Sequence, residues 1–140
     1  MPTEAEWHYA ASGGADQRVY PWSAPIANPV PTPSIDATFA VYNGNNLAGA
    51  ARVGSKSPKG DGKYQQADLV GNVMEWALDS YVYPYAIIPC TDCSDQTLET
   101  SRALGGSDSQ QTNGLETSSR SGWAANSRFS SFGFRCARVQ

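Results

Sequence analysis

One acidic residue on each side of a glycine suggests a first candidate site in this sequence, a cation site. Asp68, Gly71, Val73 and Glu75 lie within eight residues of one another. A hard cation such as Ca²⁺ takes carboxylate and backbone carbonyl oxygens as ligands, and a glycine lets the chain turn tightly enough to direct carbonyls inward. The Asp-x-Asp-x-Asp-Gly series of an EF-hand is absent. Spacing alone does not separate a cation site from two solvated carboxylates.

The three cysteines offer a second candidate site. Cys90 and Cys93 form one Cys-x-x-Cys pair, which is compatible with a local disulfide, a redox pair or half of a metal site. There is no second pair and His8 is the only histidine, which disfavours zinc. A Pro precedes the pair and polar residues follow it, unlike a redox turn between a strand and a helix. We therefore favour a Cys90–Cys93 disulfide, and we expect Cys136 to be a buried thiol in a strand.

The residue types of a hydrolytic triad are present, but their context does not support one. His8, Ser107 and Asp108 could be assembled on paper, yet the sequence lacks the Gly-x-Ser-x-Gly elbow that exposes a nucleophilic serine. A single histidine on a short helix is more often a surface or packing residue. We predict no catalytic residue.

Length and composition limit the classes of protein to consider. The 140 residues suit one domain, with 40% hydrophobic residues and a net charge of −3. The sequence has no basic cluster of the kind that binds nucleic acid. No apolar run approaches the roughly 20 residues of a membrane span. Thirteen glycines and nine prolines favour a loop-rich fold over a helical bundle.

A few short elements must position the candidate sites. Thr3 and Glu6 have the spacing of a capping box, and the Gly13-Gly14 pair would end the helix that follows. Residues 20–67 are rich in proline and turn signals, so we expect irregular chain there. Alternation over 132–138 predicts a strand. These elements predict an α+β, loop-rich domain with one N-terminal helix and short antiparallel strands.

Five blocks that occur in order along the chain resemble one known family. They are Pro2–Trp7, Tyr20–Trp22, Gly71–Trp76, Gly105–Ser107 and Gly133–Arg138. Together they resemble the formylglycine-generating enzyme, or sulfatase-modifying factor, family, whose fold is a C-type-lectin-like variant. The resemblance implies one domain over 1–140 that lacks an N-terminal part of the family domain.

The same resemblance implies calcium as a cofactor. In one family site a side chain, two carbonyls and a glutamate bind the ion; here these are Asp68, the carbonyls of Gly71 and Val73, and Glu75. A second family site corresponds best to Asn43 with the carbonyl of Gly44.

One departure from the family pattern bears on activity. Oxidase members carry two closely spaced cysteines after Gly-Gly-Ser that bind copper, whereas Gly105–Glu116 contains no cysteine. Cu(I) requires soft thiolate ligands. We therefore expect a calcium-stabilised binding or structural module without formylglycine-generating activity. The alternatives are a diverged metal-dependent oxidase or hydrolase, and a fragment that functions only with a partner chain or as a homo-oligomer.

The resemblance also suggests where a ligand would bind. Four residues fall in the segment that forms the ligand-facing surface of this fold, and that is diversified in variable proteins of retroelement systems: Arg120, Trp123, Asn126 and Arg128. We expect a small-molecule, glycan or protein ligand, and neither nucleic acid nor membrane. Family members are often exported, so we lean towards a periplasmic or extracellular location.

Overall fold

Helix α1 comprises Glu4–Ser12 and begins where the sequence predicts. The Thr3 hydroxyl accepts a hydrogen bond from the Glu6 amide at 3.1 Å, and the Glu6 carboxylate accepts one from the Thr3 amide at 2.8 Å. This confirms the predicted capping box, which satisfies amides that have no partner inside the first turn. Gly13 ends the helix in a left-handed conformation, and a short 3₁₀ helix, Gly14–Asp16, follows.

The computed structural model describes residues 1–27, 35–42, 50–84, 94–96, 101–106 and 114–138, with the backbone alone over 101–105. Its strands are β1 (Met74–Ser80), β2 (Ser101–Gly105), β3 (Ser121–Ala124) and β4 (Phe132–Gly133). They form one sheet in the order β3-β2-β1-β4, in which β1–β2 and β2–β3 are antiparallel. The predicted α+β architecture with one N-terminal helix is confirmed.

The last strand differs from the sequence prediction in length, direction and burial. Only Phe132–Gly133 form a strand, and β4 pairs with β1 in parallel. Residues 134–138 leave the sheet because Arg135 turns inward to bond Glu75 and two carbonyls. Cys136 is exposed as a consequence, so the expected buried thiol is wrong.

The buried face of β1 carries acidic as well as apolar residues. Glu75, Ala77 and Asp79 alternate along the strand and are buried, at 5%, 2% and 8% exposure. Helix α1 packs against this part of the sheet. Buried carboxylates need hydrogen-bond or charge partners, so the contacts of Glu75 and Asp79 determine how the helix is held.

Two apolar clusters meet at Leu69 and Val70, just before β1. The first joins Leu69 to Trp7 and Ala11 of the helix. The second joins Val70 to Tyr20 and Leu115. The loop that precedes β1 is therefore fixed on both sides by core packing.

The described parts of residues 17–73 are irregular, as predicted. Residues 17–27, 35–42 and 50–73 contain turns and bends but neither helix nor strand. Among the described residues, no helix has the length and apolar character needed to cross a membrane.

Candidate functional site

The loop that contains the predicted calcium ligands is bent by three residues in the left-handed region. Asp68, Gly71 and Asn72 have φ values of 54°, 81° and 62°. The Asn72 amide donates to the Val41 carbonyl at 2.8 Å, and its side-chain oxygen accepts from the Ala51 amide at 2.7 Å. These bonds tie the loop to two irregular segments and fix its path into β1.

The two predicted carboxylate ligands have different partners inside the protein. The Asp68 carboxylate accepts a hydrogen bond from the Gly54 amide at 2.7 Å. The Glu75 carboxylate instead accepts from the Trp7 indole N–H at 2.7 Å and from Arg135. Asp68 thus points towards the loop at Gly54, whereas Glu75 points towards Trp7 of the helix and Arg135 of the C-terminal segment.

Arg135 is the main partner of Glu75. Its Nε lies 2.5 Å from Glu75 Oε2, and its Nη2 lies 2.6 Å from Glu75 Oε1. The same Nη2 is 3.2 Å from the carbonyl oxygens of Ala67 and Asp68. We call this set of oxygens, namely the two carbonyls and the Glu75 carboxylate, the Arg135 cradle.

The cradle allows the calcium prediction to be compared with the observed geometry. An all-oxygen donor set suits Ca²⁺, so the four predicted ligands have suitable chemistry, and three of them have hydrogen-bond partners within the chain. Asp68 points to Gly54, Glu75 is held by Arg135 and Trp7, and the Gly71 carbonyl accepts from the Val73 amide at 2.8 Å. In the described ranges, no group of three or more His, Cys, Asp or Glu side chains is suited to hold a metal ion. Calcium binding at these residues stays a prediction.

Four other predicted site residues lie outside the described part of the chain. They are Asn43 and Gly44 of the second calcium site, and Cys90 and Cys93 of the disulfide. Both predictions stand as they were made.

Arg120, the first predicted ligand-binding residue, is half-buried and paired with other groups of the protein. Its guanidinium bonds both oxygens of Glu4, with Nη2 at 2.9 Å from Oε2, and its Nη1 lies 3.2 Å from the Val82 carbonyl. It also stacks 5.0 Å above the Tyr81 ring. These contacts fasten β3 to the start of α1.

A buried polar group surrounds the same end of the helix. Asp79 accepts from the Glu4 amide at 2.5 Å and from the Asp95 amide at 2.9 Å. Burial lowers the pKa of His8 below its ordinary value, while the Glu4 charge raises it and the Arg120 charge lowers it. Sequence reasoning missed Asp79, since nothing local marks a carboxylate that caps a helix 75 residues earlier.

The other predicted ligand-binding residues lie on β3 and the turn after it, where they reach the surface. Trp123 is 42% exposed, and Asn126 and Arg128 are exposed as well. Arg128 donates to the Ser127 carbonyl at 3.0 Å. The structure therefore groups Trp123, Asn126 and Arg128 in one exposed region, whereas Arg120 is half-buried and paired with Glu4.

Trp123 belongs to a cluster of four aromatic rings. Its ring centroid lies 5.3 Å from that of Phe129 and 5.6 Å from that of Phe132, both at steep interplanar angles. Phe132 also contacts Trp76 at 5.3 Å. We call Trp76, Trp123, Phe129 and Phe132 the aromatic cluster. The close spacing of the two phenylalanines to Trp123 was the signal in the sequence that could have predicted it.

The fold and these contacts define a C-type-lectin-like domain of the formylglycine-generating enzyme type. The sequence profile of the sulfatase-modifying factor enzyme 1-like domain matches residues 1–140, and the chain belongs to that family. The chain is 30% identical over 142 residues to "Inactive C-alpha-formylglycine-generating enzyme 2" of Bos taurus, covering 98% of this chain and 43% of the relative. It is 33% identical over 152 residues to the "Formylglycine-generating enzyme" of Streptomyces coelicolor, covering 98% and 46%.

Solved structures show the same fold. Treponema denticola variable protein 1 superimposes with a TM-score of 0.67 at 27% identity, over 96% of this chain and 45% of that one. PvdO from Pseudomonas aeruginosa gives 0.74 at 22% identity, over 96% and 50%. The chain thus spans half or less of the length of each of these relatives.

Proposed function

We propose that this chain is a binding module of the formylglycine-generating enzyme family that does not oxidise cysteine. The sequence from Gly105 to Glu116, where the family resemblance places the copper ligands, contains no cysteine. Serine, glutamine and asparagine oxygens cannot replace the thiolates that Cu(I) requires. The similarity to a bovine relative whose name describes it as inactive supports the same proposal.

The oxidase part of the proposal has a direct assay. The chain is loaded with Cu(I) and incubated in air with a cysteine-containing sulfatase peptide, and mass spectrometry follows the peptide. We expect the cysteine to remain unmodified. Conversion of that cysteine to formylglycine would overturn the proposal.

The exposed rings of the aromatic cluster are the observation that best supports a binding function. Trp123 and Phe129 expose 42% and 52% of their surface, although they pack against each other and against Phe132. Rings that are held by neighbours lose little conformational freedom on binding, and aromatic residues are enriched where proteins recognise ligands. Exposed apolar patches of this kind mark interaction sites.

Charge indicates the kind of ligand. Residues 117–140 contain four arginines and no acidic residue, although the whole chain has a net charge of −3. Arg120 and Arg135 are paired with Glu4 and Glu75, while Arg128 lies exposed beside the aromatic cluster. A local positive charge on an acidic protein favours a short anionic segment over a long polyanion such as nucleic acid.

The position of β3 favours a polypeptide over a sugar. β3 is the terminal strand of the sheet order, so one of its edges has no strand partner in the part of the chain that is described. An extended peptide can add to such an edge through main-chain hydrogen bonds, with side chains that reach neighbouring patches. The ligand that fits this surface is an extended peptide with acidic and apolar side chains.

Two synthetic decapeptides test this assignment, one alternating Glu and Val and the other alternating Lys and Val. Titrations followed by calorimetry should show binding of the acidic peptide, weakened tenfold or more by Trp123→Ala and also weakened by Arg128→Gln. Tyr83→Ala is the matched control, because Tyr83 is 83% exposed and lies outside the cluster. Equal binding of both peptides, or no effect of Trp123→Ala, would contradict the assignment.

A further inference from the structure

Two exposed tyrosines face each other where helix α1 meets a turn of the segment before β1. Tyr9 lies on α1 and Tyr64 in the turn, and their rings stack with 6.0 Å between centroids and 7° between planes. The two residues are 60% and 44% exposed. We propose that this pair is an oxidative modification site, at which a peroxidase-type one-electron oxidant joins the two rings in a dityrosine cross-link within the chain.

The hydroxyl ends of the two rings lie together. A Cβ atom on Gly14 would lie 2.9 Å from the Tyr9 hydroxyl oxygen and 2.8 Å from the Tyr64 hydroxyl oxygen, so one point is in contact distance of both. Hydrogen bonding with Tyr9 raises the pKa of the Tyr64 hydroxyl above its ordinary value, as expected for neighbouring phenols. The ring carbons next to the two hydroxyls are therefore close together, and tyrosyl radicals couple at these carbons.

The surrounding backbone and charges hold the pair in place. Gly14 has a φ of 66° and leaves room for the rings, since a Cβ there would lie 2.7 Å from Tyr9 Cζ. Lys63, next to Tyr64 in sequence, bonds the Asp16 carboxylate at 2.9 Å and so ties the turn to the short 3₁₀ helix after α1. Groups that are held in contact react far faster than the same groups free in solution. Coupling within the chain is therefore favoured over coupling between chains.

The reaction balances with hydrogen peroxide as the oxidant. A peroxidase removes one electron and the hydroxyl proton from each phenol, which leaves two neutral tyrosyl radicals. The radicals form one carbon–carbon bond between the positions next to oxygen. Each of these carbons then passes its hydrogen, through water, to the oxygen of its own ring, which restores both phenols. The chain loses two hydrogen atoms in total, and one hydrogen peroxide is reduced to two molecules of water.

Core packing does not account for the stacked pair. Tyr9 and Tyr64 belong to neither apolar cluster of the described core, and both rings are open to an oxidant in solution. A bond between them would join α1 covalently to a turn that is distant in sequence. Like a disulfide, such a cross-link stabilises a fold by restricting the unfolded chain.

The test treats the dilute unaltered chain with a haem peroxidase and hydrogen peroxide, beside the variants Tyr9→Phe, Tyr64→Phe and Tyr83→Phe. Tyr83 is the matched control, because it is 83% exposed and stacks on no other tyrosine in the part of the chain that the structure describes. Gel filtration separates single chains from coupled ones. Mass spectrometry after proteolysis then locates the new bond.

The inference predicts a single-chain product that is lighter by two hydrogen atoms, fluoresces as a biphenol and yields two peptides joined at residues 9 and 64. Tyr9→Phe and Tyr64→Phe should each lower the yield of this product about tenfold or more, because a radical without a held partner couples only by collision. Tyr83→Phe should leave the yield unchanged. Coupling mainly between chains, or an equal yield from Tyr9→Phe, would overturn the inference. If a variant does not fold, the position of the bond in the unaltered chain still decides.

Discussion

The hydrogen bond from Trp7 to Glu75 is the contact whose removal gives the most informative stability change. Trp7→Phe keeps an aromatic ring on α1 but deletes the indole N–H that lies 2.7 Å from Glu75 Oε2. A hydrogen bond to a charged group contributes about 1.5–3 kcal/mol. Arg135 remains bonded to the carboxylate, which places the loss near the lower value. The smaller ring also leaves a cavity beside Leu69 and Ala11, costing about 1 kcal/mol more.

The sum is a loss of about 2.5 kcal/mol, which corresponds to roughly 8 °C in melting temperature for a chain of this size. Urea denaturation followed by circular dichroism measures the loss directly. Trp123→Phe is the control, because that ring is 42% exposed and phenylalanine keeps an aromatic contact with Phe129, so the loss should stay below about 1 kcal/mol. If Trp7→Phe cost no more than Trp123→Phe, the buried polar contact would not hold the helix as described.

Two further predictions concern the backbone before β1 and the histidine on α1. Gly71→Ala should destabilise the fold by about 2 kcal/mol or more, because the backbone is strained at positive φ and the new Cβ would lie 2.5 Å from the Val41 carbonyl oxygen. Gly54→Ala has a similar φ, but its Cβ would meet Ser57 Oγ at an ordinary 3.6 Å, so it should cost only about 1 kcal/mol. Urea denaturation measures both losses. Burial lowers the pKa of His8 in the folded state despite the nearby Glu4, so the stability that neutral His8 contributes is present above its unfolded pKa of about 6.5 and is lost as the pH falls through the folded pKa. His8→Gln should therefore melt with a weaker dependence on pH between about pH 7 and pH 5; an unchanged dependence would contradict the burial of His8.

The elements with local signals could be predicted from the sequence. The capping box at Thr3 and Glu6 indicated α1 because both bonds join residues three apart. Proline and turn residues indicated the irregular middle of the chain. Local hydrogen-bonding chemistry determines such features, so a single sequence contains the needed information.

The C-terminal segment shows where prediction from the sequence failed. Its alternation of apolar residues predicts a strand over 132–138, but the strand stops at Gly133. The reason is the ion pair between Arg135 and Glu75, which lie 60 residues apart in sequence. Nothing near Arg135 signals this partner, so neither the end of the strand nor the exposure of Cys136 could be predicted.

The candidate sites were predictable to different degrees. The family resemblance indicated the oxygen-rich loop before β1 and the region around Trp123. It did not indicate that Asp68 would bond Gly54 or that Arg120 would bond Glu4. Both differences arise from tertiary contacts that pair a charged side chain with a distant group, which spacing along the chain does not reveal.

The account depends most on the guanidinium at Glu75, and side-chain NMR observes that group directly. The Nε–H signal of Arg135, assigned by its absence from Arg135→Lys, should be protected from solvent exchange because it is bonded to a nearly buried carboxylate. We predict slow exchange of this signal in the unaltered chain, and a shift or faster exchange in Glu75→Gln. A signal that exchanges as fast in the unaltered chain as in Glu75→Gln would contradict the account, because it would show that Arg135 is not bonded to Glu75.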